Sequence, residues 1–404
     1  MDNKRLDFLF IQCNTKLINK DNKKDISDLF YESIYTLKAN SGYFKGSDFW
    51  EIPLWIVEIS GLFKEKQKEL FILKDIKKDI KRINNINTKF ILLSILEVNK
   101  AFYLELIKNY KGKAKFIIGG YVDFAEFKKF NNVMLFNSIK DLADYFKIDY
   151  IYNTDYSLFK GLKIIPRLTL SNGCYNNCKF CTITKKLEIK TFKEIINQAI
   201  SFKDLDFKLI YINDKTYGQA NNYHYLKNIY NIIKRYNKKF KGFIIQTTAS
   251  QILKNDFYKK FKGLHIKIIE LGMESFNNDI LRDLKKPHNE AMIDKALNIL
   301  NDLGLNVILN VIIGILKENK NTYNNTLNYI KNNLNKIFSL NIYNLVIYKN
   351  TELAKEIKTN KDNDFNELST EKSFYTKQNI IDNDYFYNNV FKLGLKVLNN
   401  KKQV

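Results

Sequence analysis

Proline, histidine and cysteine are scarce in this chain: three, three and four in 404 residues. Four cysteines are too few for a disulfide scaffold, and three of them sit within eight residues of one another. No cysteine follows Cys181 and only Cys13 precedes Cys174, so the chain alone can supply at most one cysteine-held metal cluster. No run approaches the roughly 18 apolar residues of a membrane-spanning helix. The opening Met-Asp-Asn-Lys-Arg and Leu6–Ile11 lack a long apolar stretch with a small-residue cleavage site, the mark of a secretory signal. These absences lead to the expectation of a cytoplasmic, oxygen-sensitive protein. The abundance of Lys, Asn and Ile beside so little Pro is a compositional drift that weakens arguments from single residue types.

What is present is ample for folding. Apolar residues make up 45% and aromatic residues 14%, enough for a packed core, and the length suits two or three domains. The formal charge of +23 admits an anionic partner such as RNA. The lysines, however, are scattered. Lys77-Lys78, Lys185-Lys186 and Lys238-Lys239 with Lys241 are the densest groups, and dispersed lysines usually mark a solvated surface.

The chemistry concentrates in Ser171-Asn-Gly-Cys174-Tyr-Asn-Asn-Cys178-Lys-Phe180-Cys181, a C-x3-C-x2-C spacing. A loop this short can aim three thiolates at one soft metal centre. A closed zinc site takes four ligands in paired spacing, and here the fourth would have to come from distant Cys13, His224, His265 or His288. Four-iron clusters normally take four cysteines. Three local ones suggest a cluster with one iron open, which is a reactive site.

With an aromatic residue just before the third cysteine, this loop resembles the cluster loop of radical S-adenosylmethionine (radical SAM) enzymes. The resemblance implies a [4Fe-4S] cluster on Cys174, Cys178 and Cys181, S-adenosylmethionine chelated to the open iron, and Phe180 packed near its adenine. It also implies reductive cleavage of the sulfonium to a 5'-deoxyadenosyl radical, driven by a reductant protein such as flavodoxin or ferredoxin. The substrate, whether small molecule, peptide or RNA, is not legible.

Short apolar runs alternate with helical patterns along the whole chain, which predicts parallel α/β architecture. In residues 1–150 the strands fall at Leu6–Cys13, Leu70–Leu73, Lys89–Leu93, Lys115–Ile118 and Val133–Phe136, with helices near 26–38, from Pro53, and at 98–110 and 139–146. Ligands of such doubly wound sheets lie beyond the carboxyl ends of the strands. That rule selects Ser94 and the pair Gly119-Gly120, where glycine serves either a tight turn or a bound ligand. The order of these pieces resembles the cobalamin-binding domain that precedes many radical SAM cores, so cobalamin is a possible cofactor. The D-x-H-x-x-G motif is absent, and His224 is the first histidine, so this domain offers no axial His.

Residues 151–355 carry about six further βα units, consistent with the partial (β/α)6 TIM-type barrel of that family, and 356–404 read as a helical C-terminal extension. Active groups of parallel barrels lie at the carboxyl ends of the strands. Asn213-Asp214 follow one strand and could accept hydrogen bonds from the cofactor amino group. Glu274-Ser275 resemble the family's G-x-E-S segment, which implies that Glu274 meets the ribose hydroxyls. Lys286, twelve positions on, stands where relatives carry a basic partner for the cofactor carboxylate, and Gly314 ends a strand implied to line the adenine.

Overall fold

The computed structural model describes residues 5–14, 26–31, 33, 52–120, 122–162, 164–348, 351–359 and 377–402. The chain divides into two compact units. The first comprises residues 1–22, 46–164 and 200–206; the second comprises 23–45, 165–199 and 207–404.

The first unit is built on five parallel strands, β1 (Leu6–Cys13), β2 (Lys68–Leu73), β3 (Thr88–Ile95), β4 (Lys115–Gly120) and β5 (Val133–Leu135), in the order β2-β1-β3-β4-β5. Near-continuous apolar runs such as Leu6–Cys13 form strands covered on both faces. Leu9, Ile11, Ile91, Leu93, Phe116 and Ile118 pack against Tyr103 and Leu106 of helix Glu97–Asn109 and Ile80 and Ile83 of helix Ile76–Ile83. Phe8 points the other way, into a stack with Phe63 and Phe90 and an edge contact with Phe146. Pro53 opens helix Leu54–Leu62, where its missing N–H costs nothing. Lys68 and Ser60 both hold Asp155 Oδ2 at 2.8 Å, which fixes the segment leading out of this unit.

Order reverses between β1 and β3, so the switch point lies beside Cys13 and Ser94. Both strands run further than the sequence suggests: β3 includes Ser94 and Ile95, and β4 includes both glycines. Cys13 is buried, and burial pushes its thiol up to about 12.

The second unit holds six parallel strands in the order β6 (Arg167–Leu168), β9 (Leu209–Ile212), β10 (Gly242–Thr247), β11 (Ile266–Glu274), β12 (Asn306–Ile313) and β13 (Ser339–Asn344). β7 (Ser171–Asn172) and β8 (Glu188–Ile189) pair as a small antiparallel hairpin. Helices Phe192–Ile200, Tyr225–Tyr236, Asn278–Asp283, Glu290–Asp302 and Lys320–Asn332 connect the strands. Three of them start at asparagine caps: Asn277, Asn289 and Asn319.

The C-terminal extension is helical at Glu352–Thr359 and Lys377–Lys402, and residues 360–376 lie outside the described residues. Phe386 of the last helix stacks on Tyr323 at 4.1 Å. The sequence places residues 26–38 with the N-terminal sheet. Of these, 26–31 are helical but belong to the second unit, where Phe30 meets Phe391 edge-on at 5.4 Å and Tyr31 donates to the Ile342 carbonyl. Apolar contact chose the partner there, and helical spacing carries no record of it.

Candidate active site

The cysteine loop leaves the carboxyl end of β6 and is held in place before any metal is considered. Leu170 N and Ser171 N both donate to Asp214 Oδ1 at 2.9 Å, and Ser171 Oγ donates to Asp214 Oδ2 at 2.7 Å. Gln198 clamps Thr169 from both sides, accepting from its N–H and donating to its carbonyl at 3.0 Å. Gly173 turns with φ +89°, where a Cβ would stand 2.0 Å from the Lys186 carbonyl, so only glycine fits before Cys174. Cys174 N then donates to the Thr184 carbonyl.

Cys174 is buried, with its sulfur 3.2 Å from Thr216 Oγ1 and 3.4 Å from the Asn176 N–H. Cys178 and Cys181 are half-buried. Burial raises the Cys178 thiol; the Lys286 ammonium opposes this, while Glu274, Cys181 and Cys174 reinforce it. The three sulfurs therefore share one electrostatic neighbourhood with the Lys286–Glu274 pair. Among the described residues no group of three or more His, Cys, Asp and Glu is placed to hold a metal ion. Two of the distant histidines considered above are engaged elsewhere: His224 Nδ1 lies 2.8 Å from the Asn221 carbonyl, and His265 stacks on Tyr230 at 3.5 Å. Three soft thiols carried on one eight-residue loop, with an N–H and an O–H beside Cys174, have the donor chemistry of an iron–sulfur cluster, though among the described residues they do not stand as a ready-made metal site.

Glu274 ends β11 in a bulge. The pairing with β12 slips between Gly272 and Glu274, and Glu274 sits at φ +65°. A bulge that forces a non-glycine residue into this region re-aims its side chain, and such strain clusters at functional sites. Lys286 Nζ meets Glu274 Oε1 at 2.8 Å, and the two side chains are only 5% and 10% exposed. The same ammonium lies 5.8 Å from the Phe180 ring centre. Phe180 packs against Ile280, Leu284, Ile312 and Ile315.

The structure thus gathers Cys174, Cys178, Cys181, Phe180, Glu274 and Lys286. Gly314 follows β12 at φ +88°, its N–H donating to Tyr323 Oη. Two of the residues expected at the cofactor are engaged within the chain. Asp214, expected to meet the cofactor amino group, is 2% exposed and gives both oxygens to the loop backbone and Ser171. Ser275 is fully buried and donates to Glu318 Oε1. Both hold the frame of the site. Asn213 accepts from Arg167 Nη1 at 2.9 Å. Ser94, Gly119 and Gly120 belong to the other unit. Gly120 is needed by the chain itself, since a Cβ there would stand 2.0 Å from the Ile95 carbonyl. At Gly119 a Cβ would meet only the Phe136 carbonyl, at 3.5 Å.

Sequence reasoning passed over Thr216 beside Cys174, and over a polar layer inside the barrel formed by Tyr211, Gln246, Glu270, Asn310 and Asn341. A signal was available: Gln246 and Asn310 are carboxamides that interrupt apolar runs, in Gly242–Thr247 and Asn306–Ile313.

Residues 168–330 match the radical SAM superfamily. Apart from residues 200–206, the matched segment lies within the second unit, and it takes in the cysteine loop and strands β9 to β12. The fold as a whole is that of two solved enzymes. TsrM from Kitasatospora setae, a radical S-adenosylmethionine methyltransferase solved with tryptophan substrate and a SAM analogue, aligns with TM-score 0.57 and 10% identity over 87% of this chain and 75% of its own. OxsB, a cobalamin-dependent S-adenosylmethionine radical enzyme solved with aqua-cobalamin and S-adenosylmethionine, aligns with TM-score 0.54 and 16% identity over 100% of this chain. The match spans 62% of OxsB. No curated protein matches the chain. No helix of the described residues is long and apolar enough to cross a membrane.

Proposed function

We propose that this enzyme reductively cleaves S-adenosylmethionine at a [4Fe-4S] cluster and uses the resulting 5'-deoxyadenosyl radical for methyl transfer or other C–H functionalisation. The observation that carries this reading is the convergence of Cys174, Cys178 and Cys181 with the buried Lys286–Glu274 pair at the carboxyl end of the barrel. Three thiolates hold three irons and leave one iron for the cofactor. Lys286 supplies positive charge beside Cys178, which offsets the cost of an anionic sulfur cage and favours a carboxylate ligand nearby. Glu274 keeps a second oxygen for hydroxyl donors. Phe180 lends an aromatic face in the same neighbourhood.

The first unit is proposed to hold cobalamin beyond β1, β3 and β4, with Ser94 and the open face of Gly119 toward it. The fold it shares with TsrM and OxsB, whose structures carry cobalamin, supports this. With cobalamin the natural outcome is methylation of an unactivated carbon. Electrons are proposed to come from a flavodoxin or ferredoxin.

The test is formation of 5'-deoxyadenosine by anaerobically reconstituted protein with S-adenosylmethionine and a strong reductant, with Cys178→Ala as control. Product in the wild type alone is expected. Protein that takes up zinc and no iron would overturn the reading. Cobalamin is tested separately by whether its visible absorbance co-elutes with the protein after gel filtration.

A further inference from the structure

We propose that the barrel lumen, on the strand-start side of Glu274, binds a small molecule that carries an ammonium together with a carboxylate or a carboxamide, a free amino acid or its carboxamide. The layer is on the concave face of the sheet. Tyr211 of β9 donates to Glu270 Oε2 of β11 at 2.8 Å, passing over β10, whose Gln246 Oε1 lies 3.2 Å from the same hydroxyl. Side chains from strands that are not neighbours meet this way only inside a closing barrel. Register sets Gln246 beside Glu270, and Asn310 beside Gly272 and Asn341, so the two asparagines stand one pleat nearer the strand ends than Glu270 on the same face. One pleat toward the strand starts, Leu209, Ile244, Ile268, Ile308 and Phe338 form an apolar floor. Beyond Gly272, toward the strand ends, stands Glu274 in the same neighbourhood as the cysteine loop.

Hydrogen-bonding capacity in this layer exceeds what the chain uses. Asn341 Nδ2 donates to Asn310 Oδ1 at 3.1 Å. Whichever way that pair of amides is flipped, it leaves one donor and one acceptor. Gln246 Oε1 faces Tyr211, and its other amide atom makes no hydrogen bond among the described residues. Gln246 and Asn341 are only half-buried although they lie inside the barrel, so the layer is reachable from solvent. Polar groups at such depth are costly unless something meets them.

Charge defines the class of ligand. The layer holds one carboxylate, Glu270, and one guanidinium, Arg167, which lies 4.4 Å over the Tyr211 ring. Among the described residues named in this layer Arg167 is the one cation, which does not make a track for a phosphate backbone. A balanced pair of charges and three carboxamides suit an ammonium, a carboxylate or an amide.

This inference deepens the reading above, and its test stands apart from it. Thermal unfolding of the anaerobically reconstituted full chain is measured with each of the common L-amino acids, with their carboxamides, and with a single-stranded RNA oligonucleotide. At least one amino acid or carboxamide is expected to raise Tm by about 3 °C or more. In Asn310→Asp and Gln246→Glu, which keep shape and exchange an amide donor for an acceptor, the rise should fall by half or more. Asn341→Ala, at a half-buried position, repeats the test should either acid disturb folding. No rise with any compound, a rise with RNA alone, or an equal rise in all three variants would overturn the proposal. 5'-Deoxyadenosine is assayed in parallel. A ligand shift without that product would fault the radical chemistry and leave the lumen site standing.

Discussion

Lys286 Nζ and Glu274 Oε1 lie 2.8 Å apart inside the barrel mouth, each side chain almost wholly removed from water. Sequence assigned the two residues to separate ends of a cofactor; the fold joins them. A buried pair costs more to break than to replace, because the survivor keeps an uncompensated charge. Lys286→Met and Glu274→Gln are each expected to lower stability by roughly 3 kcal/mol in urea unfolding. The double variant should lose clearly less than the sum. Additive losses would mean that the pair does not act as a unit.

Asp214 carries a different load. Its three accepted hydrogen bonds fix the strand that leads into the cysteines. Asp214→Asn keeps the shape but puts a donor against donors, and should cost about 2 kcal/mol. Iron bound per chain after reconstitution should fall with it. Full iron content in the variant would show that the loop holds without this anchor.

Glu318 gives a pH signature. Burial pushes its carboxyl up to about 8, against the pull of the Ser275 and Tyr323 hydroxyls. The folded chain therefore keeps a proton that the unfolded chain releases near its ordinary value of 4.5. Stability from this group is full below that value and is lost as pH climbs toward 8, by at most about 1.4 kcal/mol per pH unit. Glu318→Gln should flatten that decline in urea midpoints measured across the window. A parallel pH profile would place the titration elsewhere.

The paired glycines of the first unit should separate on substitution. Gly120→Ala places a methyl against the Ile95 carbonyl at φ +136° and is expected to cost more than about 2 kcal/mol. Gly119→Ala meets little within the chain and should leave stability within about 0.5 kcal/mol. Weaker cobalamin retention by Gly119→Ala, at unchanged stability, would locate the ligand on that face.

The alternation of strands and helices was legible because parallel strands buried on both faces leave near-continuous apolar runs, as in Leu6–Cys13 and Asn306–Ile313. The cysteine loop was legible because its ligands are adjacent in sequence. What escaped depends on chain distance or local strain. Nothing in Glu274 itself announces a left-handed bulge. Nothing in Asp214 distinguishes a carboxylate turned toward its own backbone from one turned toward a cofactor. Residues 26–31 have helical spacing, but their partner is near residue 391. The inward carboxamides were visible only as isolated polar letters, and the contact of Asn341 with Asn310 exists only once the strands are in register.

The pairing of Phe30 with Phe391 also bears on how the protein is made. A growing chain emerges N-terminus first, and at synthesis rates of roughly 5–20 residues per second the early segment waits tens of seconds for its mate. Until then Phe30, fully buried at the end, is an exposed apolar side chain beside a half-built barrel. A ribosome stalled before the last helix would therefore hold a nascent chain with a sticky N-terminal flank, the kind of surface that chaperones grip.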